Sequence, residues 1–249
     1  MTALHVYGII TLNSFYARRC RKGKHMGAFL PKQTEHGTVT VFALHVDDVR
    51  RADLKPLCER LPERMERAGR FRFERDRLLC IGAGLLLLDA LGVRDQSELQ
   101  VGAHGKPLAA GYPGFSLSHS GDWVVLAVGE GEIGVDIAVR KPAGLRVAAS
   151  VFTEEERAWM ADDPLVRFQI LWTLKESVVK ATGQGIGTEP STPDVLPLTE
   201  GRPIVSDGAE RYAYTGWLED CCYSVCASYP PKVALRLCRC DAEGKLRCD

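Results

Sequence analysis

Residues 163–183, DPLVRFQILWTLKESVVKATG, decide the fold. Apolar side chains recur along them at helical spacing and Gly183 stands at the close, which reads as one long amphipathic helix with a glycine cap. Just upstream, TEEERAWMA opens on Thr153 as an N-cap with Glu156 three positions later, a capping box. Further upstream lies IGVDIAV (133–139), an apolar strand with one acid inside it. FSLSHS (115–120) and WVVLAVG (123–129) flank the turn pair Gly121-Asp122 and make a hairpin. Downstream, RYAYTGWL (211–218), CYSVCASY (222–229) and KVALRLC (232–238) read as strands. Toward the N-terminus the arrangement recurs. GTVTVFALHV (37–46) alternates like a strand, and DDVRRADLKPLCERL (47–61) reads as a short helix broken by Pro56. From Glu63 to Leu91 the pattern is helical, with Phe71, Leu78, Leu79, Leu85, Leu86 and Leu88 on the apolar face and Gly92 as C-cap. The expected fold is α+β: two similar lobes, each an antiparallel sheet packed on a long helix. The division is a segment of unclear role (1–36), an N-terminal lobe (37–130) and a C-terminal lobe (131–249) that includes the cysteine-rich tail.

Composition narrows the function. The chain has 249 residues, 45% hydrophobic and 26% charged, as in an ordinary globular protein. Thirty-two basic side chains balance 32 acidic ones, so no overall field favours nucleic acid or an anionic membrane. The run Ile81–Leu91, interrupted by Asp89, falls short of the roughly 20 apolar residues that span a bilayer. MTALHVYGIITL has no basic residue before its apolar stretch, so it makes a poor secretion signal and the expected location is the cytoplasm. The basic run ARRCRKGKHM (17–26) reads as a solvated loop. Nine cysteines, an odd number, argue against a fully paired framework. Six of them (Cys221, Cys222, Cys226, Cys238, Cys240, Cys248) crowd the C-terminal end without a C-x-x-C pair, which argues against a zinc site, and Cys222 and Cys226 share a strand face, where free cysteine acts as a small hydrophobe.

Four elements carry possible chemistry. Glu176 and Lys180 lie four apart on one helix face, next to the apolar Trp172, Val178 and Val179. A carboxylate and an ammonium one turn apart suit a divalent metal bound to a phosphate. Asp136 is the single acid of the strand GVDIA, costly to bury unless paired or metal-bound. Ser118 and His119 end a strand at a turn, where both can donate to phosphate oxygens; the segment lacks the G-x-S-x-G of a hydrolase elbow. Lys106 sits in the turn GKP (105–107).

In order, GKP, F-S-x-S-H-S, G-V-D-I, F-T-x-x-E and W-x-x-K-E-S-x-x-K resemble the 4′-phosphopantetheinyl transferase superfamily, Sfp-like two-lobed type, KES branch. The resemblance covers about residues 63 to 190, and it implies that the two lobes form a pseudo-dimer with the active site at their interface. It implies an enzyme of the holo-[acyl-carrier-protein] synthase type that moves the phosphopantetheine arm of coenzyme A to a serine of an apo acyl or peptidyl carrier protein and releases adenosine 3′,5′-bisphosphate. It also implies Mg²⁺ held by Asp136 and Glu176, charge stabilisation by Lys180, and coenzyme A binding by Arg75, Lys106, Ser118, His119 and Lys180. The general base is Glu156 or Glu176. Two positions depart from the pattern: Ala138 stands where many relatives carry a second acid, and Val101 where the KES branch often has an arginine. The alternative is an inactive relative that only binds coenzyme A or a carrier. A monomer without nucleic-acid or membrane partners is expected.

Overall fold

The computed structural model describes residues 37–102, 105–183, 193–198 and 201–248. The N-terminal segment 1–36 with its basic run, His104 before the GKP turn, and the glycines 185 and 187 lie outside the described residues. Eleven strands and seven α-helices follow in chain order among the described residues: β1 (Thr38–His45), α1 (Val46–Val49), α2 (Lys55–Arg60), α3 (Pro62–Gly69), α4 (Glu74–Leu86), β2 (Leu99–Val101), β3 (Pro107–Ala109), β4 (Gly114–Ser120), β5 (Trp123–Gly129), β6 (Ile133–Val139), α5 (Ala148–Val151), α6 (Glu154–Met160), α7 (Pro164–Thr182), β7 (Ile204–Ser206), β8 (Ala209–Leu218), β9 (Cys221–Ala227), β10 (Lys232–Cys240) and β11 (Leu246–Cys248). The chain is therefore mixed α+β, as expected. No helix among the described residues is long and apolar enough to cross a membrane.

The strands form two main sheets, β11-β10-β1-β5-β4 and β6-β9-β8-β7, plus the small hairpin β2-β3. Alternation along each strand sends its side chains to two different layers. On β1 and β5, Phe42, Leu44, Val124, Leu126 and Val128 join α4 in one core, while Val39, Val41, Ala43, Val125 and Ala127 face the second sheet. There they meet Ile133, Val135 and Ile137 of β6 and Tyr223 and Val225 of β9. The opposite face of the second sheet, through Cys222 and Cys226, packs on α7. The layers thus run helix, sheet, sheet, helix, and Cys222 and Cys226 share a strand face as their spacing predicts.

Three expectations are corrected. β10 and β11, read as part of the C-terminal lobe, join the first sheet, and β10 runs parallel to β1 with Thr38 opposite Lys232. The first sheet is therefore not purely antiparallel. The helix read across Glu63–Leu91 divides into α3 and α4, with Phe71 exposed between them (37%), and ends in a π turn, Leu87–Leu91, before Gly92 in the left-handed conformation (φ 84°). Pro56 does not break a helix but stands in the first turn of α2, where its missing N–H costs nothing. In the tail, Cys238 and Cys248 lie opposite each other on β10 and β11 and form a disulfide.

Candidate active site where the two sheets meet

β4, at the edge of the first sheet, lies against β6, at the edge of the second. On β6 the odd-numbered side chains fill the layer between the sheets, so Gly134 and Asp136 face α7. The glycine is what lets the helix come close. A Cβ at position 134 would fall 1.9 Å from the Ser177 carbonyl oxygen and 2.5 Å from the Ala181 nitrogen, both backbone atoms of α7. The last turns of α7 therefore rest directly on the strand that carries Asp136.

This close approach assembles the polar cluster. Lys180 Nζ donates to Asp136 Oδ1 at 2.6 Å and to Ser118 Oγ at 2.9 Å, and Ser118 Oγ donates to Asp136 Oδ1 at 2.7 Å. Asp136 is 5% exposed, and its charge is matched by the ammonium. Glu176, one turn before Lys180, has its carboxyl pushed up to about 7, first by burial and then by the nearby Asp136 carboxylate, with Lys180 opposing. His119 follows Ser118 and is exposed. Crowding by the surrounding protein, and then the Lys180 ammonium, lower its pKa. Arg75, at the start of α4, reaches the β4–β5 turn, its Nε 3.4 Å from Asp122 Oδ1. Ser118, Asp136, Glu176 and Lys180 thus form one site, with His119 next to Ser118 on β4 and Arg75 at the turn that follows β4.

Two candidates are elsewhere. Glu156 is fully buried (0%) and its carboxylate is occupied: Lys175 Nζ at 2.9 Å, the Thr153 amide at 2.9 Å and the Val195 amide at 3.5 Å all donate to it. The Thr153 hydroxyl accepts from the Glu156 amide, which completes the capping box that the sequence predicts. In this arrangement Glu156 is a buried carboxylate held by an ion pair and two amides, apart from the cluster around Asp136. Lys106 points away from the cluster, into the C-terminal end of α7. Its Nζ donates to the carbonyls of Lys180 (2.6 Å), Ala181 (3.1 Å) and Ile133 (3.2 Å), and burial lowers its pKa.

Sequence reasoning missed the polar layer under the site. Gln169 Nε2 donates to the Ala138 carbonyl at 2.7 Å and the Asp220 carbonyl at 3.2 Å. Thr173 Oγ1 and Ser224 Oγ lie 2.8 Å apart, and Ser224 also meets Thr215 Oγ1 at 3.0 Å. Lys175 and Ser177, buried on either side of Glu176 in the KES triplet, were one signal available in the sequence. A serine at the centre of CYSVC, on the face of its two cysteine neighbours, was the other available signal.

The donor set suits a hard divalent cation. Asp136 and Glu176 bring two carboxylates together closely enough that one raises the pKa of the other. Magnesium typically takes one or two carboxylates and completes its shell with water and phosphate oxygens. Among the described residues no group of three or more His, Cys, Asp or Glu side chains could hold a metal, and Ala138 contributes only a methyl group.

Comparison with known proteins agrees with the motif reading. Residues 132–233 match the family model described as the 4′-phosphopantetheinyl transferase superfamily. The chain is 39% identical over 98 residues to the 4′-phosphopantetheinyl transferase psf-1 of Bacillus pumilus, covering 37% of this chain and 42% of that protein. It is 30% identical over 136 residues to the 4′-phosphopantetheinyl transferase Sfp of Bacillus subtilis (50% and 61%). It is 29% identical over 187 residues to the L-aminoadipate-semialdehyde dehydrogenase-phosphopantetheinyl transferase of Rattus norvegicus (60% of each). The similarity therefore spans roughly half the length of these relatives.

Proposed function

The chain is of the Sfp-like type within the 4′-phosphopantetheinyl transferase superfamily, and on that premise we propose that it transfers the 4′-phosphopantetheine arm of coenzyme A to a serine of an apo carrier protein. The observation that carries this reading is the ammonium of Lys180 lying 2.6 Å from Asp136, with Glu176 one turn away, where the two sheets meet. In this reading the sheets and their helices are the two lobes of a pseudo-dimer with the active site between them. The enzyme acts as a cytoplasmic monomer of the holo-[acyl-carrier-protein] synthase type.

The carrier serine oxygen attacks the phosphorus that bears the pantetheine arm. A new phosphorus–oxygen bond forms, and the bond from that phosphorus to the bridging oxygen breaks, so that adenosine 3′,5′-bisphosphate leaves. Such transfers depend chiefly on positioning and on electrostatic stabilisation. Magnesium, held by Asp136 and Glu176, would neutralise pyrophosphate oxygens. Lys180 turns from Asp136 toward the charge that grows on the leaving group, and Ser118 and His119 bind phosphate oxygens. Arg75, at the α4 side, takes the 3′-phosphate. With Glu156 buried, Glu176 is the carboxylate assigned to accept the serine proton.

The test is mass spectrometry of apo carrier proteins from fatty-acid, polyketide and peptide systems after incubation with the chain, coenzyme A and Mg²⁺. One carrier at least should gain a single phosphopantetheine arm on its serine. No gain with any of them overturns the reading.

A further inference from the structure

Lys106 belongs to a turn whose sequence, GKP, points to donor binding, yet its side chain does something else. The last carbonyls of an α-helix have no partner within the helix. At the end of α7, Gly183 adopts the left-handed conformation (φ 73°) and its amide returns to the Val179 carbonyl at 3.0 Å. The Lys106 stem runs beside this glycine, its Cδ 3.5 Å from where a Cβ of residue 183 would stand. The ammonium then takes the carbonyls of Lys180 and Ala181 and, on the strand, that of Ile133. An ammonium has three hydrogens, and here three carbonyls receive them. The positive charge also sits at the negative end of the helix dipole.

We infer that Lys106 is a positioning residue, which pins the backbone of Lys180 to the strand that carries Asp136 and contributes no bond to a phosphate of the donor. The inference rests on the transfer reading above and deepens it. One of the pinned carbonyls is that of Lys180 itself, and Ile133 lies three residues before Asp136 on the same strand. Loosening the pin lets the end of α7 lift from β6, and the two carboxylates and the ammonium lose their mutual placement.

Lysine and arginine separate the two roles. A phosphate subsite accepts arginine readily, since the guanidinium fork matches phosphate oxygens. A pocket of three converging carbonyls does not, because a planar fork cannot bring three donors to one point. Kinetics of the unmodified chain, Lys106→Met and Lys106→Arg should therefore show kcat reduced roughly 10²-fold in both variants, with the KM for coenzyme A unchanged, as expected for a misplaced catalytic constellation. Mn²⁺ affinity, measured by water-proton relaxation without coenzyme A, should fall about 10-fold in both. A raised KM with kcat retained in Lys106→Met, or full activity in Lys106→Arg, would identify a phosphate contact and overturn the inference. Should Lys106→Met fail to fold, Lys106→Arg retains the charge and carries the same comparison. If the unmodified chain transfers nothing, the transfer reading falls. The Mn²⁺ measurement then decides the positioning role by itself, and equal affinity in all three proteins would overturn it.

Discussion

The long helices α4 and α7 each cover the outer face of one sheet, and they do so by different means. α4 buries hydrocarbon almost throughout: Leu78, Leu79, Ile81, Ala83, Leu85 and Leu86. Where its glycines approach their neighbours, they meet side chains: Val49 and Val124 at Gly82, Leu57 and Arg64 at Gly84. α7 buries Gln169, Thr173, Lys175 and Ser177 among its apolar residues, and at Gly134 it touches the strand backbone to backbone. Side chains can yield by a rotamer; a backbone contact and a chain of hydrogen bonds cannot. One helix therefore fills a core, and the other holds atoms to the tolerance that a reaction needs.

Four substitutions test that contrast, ordered by their expected effect on unfolding free energy. Glu156→Gln removes the carboxylate from a fully buried ion pair and leaves the Lys175 charge in the interior. A loss of about 3–5 kcal/mol is expected in urea unfolding, and a loss under ~1 kcal/mol would show that α7 is not fixed by this pair. Gly134→Ala inserts a methyl group where α7 backbone stands. It should cost about 1–3 kcal/mol and remove transfer activity as the helix is pushed off the strand.

Glu176→Gln should act in the opposite direction on stability. The folded carboxyl titrates near 7 against an ordinary 4.5, so between those values the folded chain binds more protons than the unfolded one, and stability falls as pH rises through that window. Glutamine does not ionise. The variant should match the unmodified chain below pH 4.5 and exceed it by ~1–3 kcal/mol above pH 7, while transfer activity is lost. Parallel pH profiles of melting temperature for the two proteins would contradict the assignment. The smallest change is expected for Gly82→Ala in α4. Gaining about 1 kcal/mol of helix propensity, it offsets a tight approach to Val49 and Val124 (3.1 and 3.2 Å), so stability and activity should both stay close to those of the unmodified chain.

Local signals were legible in the sequence, and distant ones were not. The β4–β5 hairpin, the capping box of α6 and the glycine ends of the π turn after α4 and of α7 are each written within a few residues, and all appear. Asp136, Glu176, Lys180 and Ser118 could be picked out because each is a polar residue in an apolar or repeated local context. The contacts of Glu156 and Lys106 could not be read in that way. Their partners, Lys175 and the end of α7, lie far along the chain, and spacing says nothing about them. The parallel pairing of β10 with β1 is likewise invisible to periodicity, since a strand looks alike whichever neighbour it takes.

That pairing has a consequence for how the chain is made. β1 is the first of the described strands in chain order and lies between β5 and β10, so one of its edges has no partner until β10 has been synthesised. Throughout that interval the nascent sheet presents a row of open amide and carbonyl groups along Thr38–His45, next to side chains as apolar as Val39, Val41 and Leu44. Closing it requires joining residues from opposite ends of the described chain, an ordering step that local contacts cannot hasten. The part of the described fold most exposed to misassembly during biosynthesis is therefore the open edge of β1, two strands away from the β4 that carries Ser118, and it stays vulnerable until β10 has been made.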